Sequence, residues 1–207
     1  MGVTAGFAQI GGKGVAAPSA NRFGNVSPTT AQAVADELSQ YLGDADQILD
    51  GGPCEVGVES TIVDCTRDVP RILRPGAVTV EMIEKSTGLH VGVSGAAIDS
   101  DVNEKVIRVS GSLDSHYAPV ATVLLDQSPV AGQGFIAMED VATPDGVVRL
   151  AAPKTDDEFA RVLYAAFRAA DEQGLQTVVV AQPVGDGIAV AIRDRLMRAA
   201  HSDSLNK

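Results

Sequence analysis

Ser19, Asn21, Ser27 and Thr29 crowd hydroxyl and amide groups into one short stretch, Pro18-Ser19-Ala20-Asn21 followed by Val26-Ser27-Pro28-Thr29. Just ahead of a helix, such a stretch can hold an anion. Hydroxyls donate to it, and the free N–H groups at a helix start favour negative charge. The spacing puts Ser27 at the N-cap and Pro28 at the first helical position. Behind them, Ala31, Val34, Ala35, Leu38 and Leu42 form an apolar stripe that predicts a helix over 28–42, ended by Gly43. Neither common phosphate motif is present, and Gly11-Gly12-Lys13-Gly14 has the wrong spacing for one. Ser27-Pro28 also reads as an ordinary capped helix.

The elements that must carry these residues follow from periodicity and turn chemistry. A short strand is expected over 14–18 and another over 46–49, entering the turn Gly51-Gly52-Pro53. Residues 60–65 alternate as a strand, with 71–74 as an antiparallel partner. Thr79 can cap a short helix running to about Ser86, with Gly88 as its stop. From about 91 to 119 periodicity fades into a linker, within which 105–109 could pair as a strand. Short apolar runs then recur over 120–125, 134–138 and 147–150. An amphipathic helix over 156–172, a buried strand over 177–181 and a second helix over 188–200 complete a small α/β layer. Only 127–133 separates the first two of these runs, too little for a helix of normal length.

With 207 residues the chain can bury a real core in one or two domains. No apolar run approaches the roughly 20 residues of a membrane span, and no signal peptide opens the chain. Cys54 and Cys65 form neither a Cys-x-x-Cys pair nor part of a His cluster, so free thiols and a cytoplasmic setting are expected. A net charge of −11 argues against strong nonspecific nucleic-acid binding, which needs a basic surface. With aromatics at 4% and no Trp, a base-stacking platform is poorly supplied too.

Further words along the chain add a resemblance. Leu49-Asp50-Gly51-Gly52-Pro53, Val58-Glu59-Ser60-Thr61-Ile62-Val63-Asp64 and Ile72-Leu73-Arg74-Pro75-Gly76-Ala77-Val78 follow the first stretch. Ser115-His116-Tyr117-Ala118-Pro119 and Ala191-Ile192-Arg193-Asp194-Arg195-Leu196 come later. In this order and at these separations they resemble the threonylcarbamoyl-AMP synthase family, the YrdC-like enzymes of tRNA modification, in its two-domain form. The resemblance implies an α/β fold: a partial YrdC-like twisted mixed sheet with helices, then a small Rossmann-like α/β domain. It divides the chain into the C-terminal half of a synthase domain over 1–90, a linker over 91–119 and a reduced C-terminal domain over 120–207. Family members carry roughly another hundred residues before Pro18, including a Lys/Arg signature that grips ATP. By this resemblance the chain is an N-terminally truncated member, impaired or inactive by itself.

The implied reaction joins threonine, bicarbonate and ATP into threonylcarbamoyl-AMP and pyrophosphate, the nucleotidyl transfer that precedes threonylcarbamoyladenosine formation in tRNA. Such a transfer needs alignment and charge neutralisation more than a covalent nucleophile, and no catalytic residue is singled out. By resemblance, Ser19, Ser27, Arg74 and Tyr117 bind ATP, Ala17 and Ser60 bind threonine, and Asn21 fixes the loop or a phosphate. Tyr117 would fold back over the nucleotide from the linker. Magnesium would accompany ATP through its phosphates, with no metal ligand from the protein and no tightly bound cofactor. The implied partners are the three substrates and a downstream tRNA-modification transferase, with no membrane. Exposed sheet edges and apolar surface also leave a homodimer open.

Plainer readings stand beside these roles. Ser60 could face a neighbouring strand, Arg74 could be a surface residue, and Asn21 could serve the turn alone. Tyr117 could anchor the linker by packing, and His116 could be read as a general base. Glu59 and Asp64 suggest a metal pair less than a strand edge with solvated carboxylates. Arg193, Asp194 and Arg195 read as surface pairs of small energetic weight. Two rivals to the enzyme are a non-catalytic nucleotide- or RNA-binding module and a hydrogenase-maturation carbamoyltransferase. The acidic balance speaks against RNA, and the two isolated cysteines speak against the carbamoyltransferase, which should show zinc-finger Cys-x-x-Cys pairs.

Overall fold

A computed structural model describes residues 17–22, 24–93 and 118–201. The fold is α/β. A three-stranded mixed sheet comes first, and a four-stranded parallel sheet with two long helices follows.

The first helix, α1 (Ala31–Leu38), starts later than its sequence predicts. Thr30, not Ser27, is the cap: its backbone is extended and its hydroxyl oxygen accepts the Ala33 N–H at 3.1 Å. The stretch 26–29 stays outside the helix because its groups have partners elsewhere. The Thr29 carbonyl accepts the Cys54 N–H at 2.8 Å, and the Ser27 hydroxyl is engaged 32 residues away. The helix relaxes into a 3-10 turn over Ser39–Tyr41 instead of running to 42. Residues 46–49 form no strand. Asp46 instead closes a turn, its carboxylate accepting the Gly43 N–H at 2.8 Å. Of the strand expected over 14–18, only Ala17 and Pro18 lie among the described residues, and neither is in a strand.

The hairpin partners are as expected. β1 (Ile62–Asp64) runs antiparallel to β2 (Arg71–Arg74), with Asp64 opposite Arg71 and Ile62 opposite Arg74. β3 (Gly92–Val93) adds parallel to β2 and makes the sheet mixed. Between them α2 (Val80–Thr87) starts on Thr79, whose hydroxyl accepts the Met82 N–H, and stops at Gly88. The linker strand expected over 105–109 lies outside the described residues.

In the C-terminal part, β4 (Thr122–Leu125), β5 (Gly134–Ile136), β6 (Val148–Ala151) and β7 (Thr177–Val180) are all parallel, in the order β4-β7-β5-β6. α3 (Asp156–Glu172) and α4 (Ile188–Ala200) match the sequence reading at both ends. Thr155 caps α3 by accepting the Glu158 N–H at 3.2 Å. The chain passes from β4 to β5 through 126–133 without a helix, although such crossovers usually carry one. Asp126 takes a left-handed conformation at this exit, φ 53°. Its carboxylate accepts both the backbone and the side-chain amide of Gln182, tying the end of β4 to that of β7.

Two stripes on α3 decide how the parts meet. Phe159, Leu163, Phe167 and Ala170 are fully buried and join Val123, Ile136, Val178, Ile192 and Leu196 in one core. Arg161, Tyr164 and Arg168, spaced three and four apart, share another face. That face meets the N-terminal part: Arg161 donates to the Glu55 carbonyl at 2.9 Å, and Arg168 donates to the Val26 carbonyl and pairs with Glu37 at 3.7 Å. Val26 belongs to the C-terminal core cluster, so apolar packing is continuous across the junction.

Candidate functional site

A cleft of about 620 Å³ opens where the N-terminal loops face α3. Its walls include Ala17, Ser19, Ser27, Ser60 and Arg74 from the sequence-predicted set. The loop at 54–60 is set against α3 through Glu55 and Gly57 and against the β1–β2 hairpin through Ser60 and Arg74, and residues 17–19 line the same cleft. Tyr117 lies outside the described residues, as does His116.

Arg74 is the last residue of β2 and is buried at 7% exposure, so it is not a surface residue. Its Nε donates to the Ser60 carbonyl at 3.0 Å and its Nη2 to the Ser60 hydroxyl oxygen at 3.3 Å. The residues expected to serve two different substrates therefore touch. Asn21 does not line the cleft. It receives the Ser19 hydroxyl and donates to the carbonyls of Arg22 and Asn25, both at 2.9 Å. In this arrangement Asn21 ties Ser19, Arg22 and Asn25 together.

Glu59 overturns its sequence reading as a solvated carboxylate. Its side chain is 11% exposed and accepts from three residues. The Ser27 hydroxyl donates at 2.7 Å, the Tyr164 hydroxyl lies 2.9 and 3.2 Å from the two carboxylate oxygens, and Arg195 Nε donates at 2.7 Å. Burial alone would push the Glu59 carboxyl up. The Arg195 guanidinium and the Ser27 hydroxyl outweigh it and hold the group below the usual carboxylate range. Asp64 is also buried, and is bound by Thr66 and paired with Arg67 and Arg71. The two carboxylates are thus engaged separately. Among the described residues no cluster of His, Cys, Asp and Glu could hold a metal ion.

Arg195 is the second correction. It is fully buried, not part of a surface pair. Besides Glu59, it donates to the Pro75 carbonyl at 3.0 Å and pairs with Asp194, which Arg198 also binds. Burial opposes its charge, but the oxygens of Tyr164, Glu59 and Asp194 outweigh that and keep it protonated. A signal for this was present in the sequence. Ile188, Ile192, Arg195 and Ala199 share one helical face, so Arg195 interrupts an apolar stripe. A charge there needs a buried partner.

The lowered Glu59 value has a pH consequence. Its folded value lies below the unfolded one, so its contribution to stability is fully present above roughly pH 4.3, the unfolded carboxyl value. The contribution is lost as pH falls through the folded value. Urea unfolding followed from pH 7 to pH 3 should show stability falling on acidification. Glu59→Gln should be less stable at pH 7 and show a flatter profile. A profile in the variant as steep as in the parent would show that Glu59 does not carry the effect.

Fold and cleft together define an α/β protein with two sheets, in which a cleft on the first, largely apolar with a few polar groups, is walled by a helix packed on the second. Residues 78–201 match the family described as threonylcarbamoyl-AMP synthase, C-terminal domain, and residues 2–76 match the one described as telomere recombination. The chain is 36% identical to a threonylcarbamoyl-AMP synthase of Bacillus subtilis over 90% of its own length and 57% of the relative. It is 31% identical to that of Pyrococcus abyssi with the same coverage. It superimposes on the crystal structure of P. abyssi Sua5 complexed with L-threonine with a TM-score of 0.68 and 30% identity, over 89% of this chain and 57% of that one. The chain belongs to the threonylcarbamoyl-AMP synthase family. It spans 57% of the length of these two curated relatives.

Proposed function

We propose that this chain serves L-threonylcarbamoyladenylate synthesis in the cytoplasm, for threonylcarbamoyladenosine in tRNA, with ATP bound as its magnesium complex. The observation that carries the reading is the meeting of Ser60 and Arg74 in one cleft. In the reaction the threonine amine takes up carbon dioxide, forming an N–C bond and a carbamate. A carbamate oxygen then attacks the α-phosphorus, and pyrophosphate leaves with the electrons of the broken P–O bond. Threonine and α-phosphate must therefore lie side by side. A threonine held at Ser60 and Ala17 and a phosphate neutralised at Arg74 satisfy that requirement. Ser19 adds a hydroxyl, and Asn21 keeps its loop in shape. Tyr117 would contribute from the linker over 91–119, between a synthase part over 1–90 and a C-terminal domain over 120–207. The intermediate would pass to a downstream transferase that acts on tRNA.

The test is binding of ATP and of L-threonine by equilibrium dialysis, together with pyrophosphate release that depends on threonine and bicarbonate. Arg74→Ala should weaken ATP binding by roughly tenfold to a hundredfold, the size of a hydrogen bond to a charged group. Ser60→Ala should weaken threonine binding. Because the two side chains touch, the double variant should lose less than the sum of the single losses. ATP affinity untouched by Arg74→Ala would overturn this assignment.

A further inference from the structure

Ser27 has a single hydroxyl hydrogen, and Glu59 receives it. An ionised carboxylate only accepts, so the direction of this bond is settled by chemistry. What Ser27 presents to the cleft is its lone pairs. Glu59 does not choose its own pose. Tyr164 from α3 and Arg195 from α4 hold both carboxylate oxygens, and Arg195 also ties down the Pro75 carbonyl beside Arg74. Ser60 follows Glu59 directly in the chain. Two of the cleft serines, Ser27 and Ser60, therefore depend on one carboxylate that the C-terminal helices anchor.

We propose that Glu59 is a positioning residue that orients Ser27 as a hydrogen-bond acceptor in the cleft, and that α3 and α4 act on the cleft through it. Phosphate oxygens at neutral pH are themselves acceptors, so Ser27 in this pose cannot serve them. It suits a donor on the nucleotide, a ribose hydroxyl or the exocyclic amine. The choice of a nucleotide rests on the proposed function; the pose of Ser27 does not. Tyr164, buried and hydrogen-bonded to Glu59, becomes part of the positioning chain.

The experiment uses the full chain and the variants Ser27→Ala, Tyr164→Phe and Arg195→Lys. Amide hydrogen exchange over 57–61 reads the positioning chain without any ligand. Titrations with adenosine and with inorganic tripolyphosphate separate the two ends of a nucleotide. Tyr164→Phe, which removes one hydroxyl, should speed exchange over 57–61 at least fivefold while exchange in Thr177–Val180 and the melting temperature stay near the parent's. Arg195→Lys should speed exchange over 57–61 more strongly still, with a lower melting temperature as well, because an ammonium cannot reach all the acceptors of the buried guanidinium. Ser27→Ala should weaken adenosine about tenfold, the size of one hydrogen bond, and leave tripolyphosphate unchanged. Loss of tripolyphosphate affinity in Ser27→Ala equal to the loss for adenosine would overturn the acceptor pose. Parent-like exchange in both Tyr164→Phe and Arg195→Lys would overturn the positioning role. If the parent chain binds neither probe, the synthase reading fails on its own, and exchange over 57–61 decides the positioning role.

Discussion

Arg195→Met is expected to cost about 3–5 kcal/mol of folding stability, the usual loss when one partner of a buried ion pair is removed. The side chain is fully buried and its Nε and Nη2 meet Glu59 and the Pro75 carbonyl. Methionine fills much of the volume but leaves the Glu59 carboxylate with two hydroxyl donors and no countercharge. Domains are commonly only about 5–15 kcal/mol more stable than their unfolded chains, so the loss would be plain in a urea titration. Combining it with Glu59→Gln should recover part of the loss, because the stranded charge is then gone. A surface pair, as the sequence suggested, is worth about 0–1 kcal/mol. A measured loss in that range would return Arg195 to the surface reading.

Gly57→Ala is expected to have the next largest effect, and Gly52→Ala provides its control. Both glycines are left-handed, at φ 83° and 88°. A side chain in that conformation costs about 1–2 kcal/mol wherever it stands. At Gly52 an added Cβ meets nothing within 4 Å. At Gly57 it would run into the Ala160 carbonyl oxygen and come within 2.5 Å of the Arg161 Cα, both backbone atoms of α3. The loop must then back away from the helix, adding about 1–3 kcal/mol in the manner of overpacking. The same movement would pull Glu59 from Tyr164 and Arg195. Gly57→Ala should therefore unfold at lower urea than Gly52→Ala and show faster amide exchange over 57–61. Equal losses from the two substitutions would mean that the close approach to α3 carries no weight.

The parts of the fold that were legible in the sequence are those whose causes are local. α3 and α4 follow from apolar stripes of helical period, and Thr79 and Gly88 bound α2 by their own side chain and backbone freedom. β1 and β2 pair across a short connection whose polar residues and Pro70 mark the turn. The grouping of Ala17, Ser19, Ser27, Ser60 and Arg74 came from resemblance, and the cleft brings those five together. Their individual partners were not legible. Ser27 and Thr30 are both good caps by type, and the choice fell to Thr30 because Ser27 is engaged by Glu59. Glu59 and Arg195 stand 136 positions apart; Glu59 looks like a solvated charge in its own neighbourhood, and only the apolar stripe around Arg195 hints at burial. Which partner a buried charge finds depends on what lies opposite it in space, and a local window does not hold that. Sequence by itself determined the elements with local causes, α2, α3, α4 and the β1–β2 hairpin; packing of α3 and α4 on the cleft decided which charges lose their water and find each other.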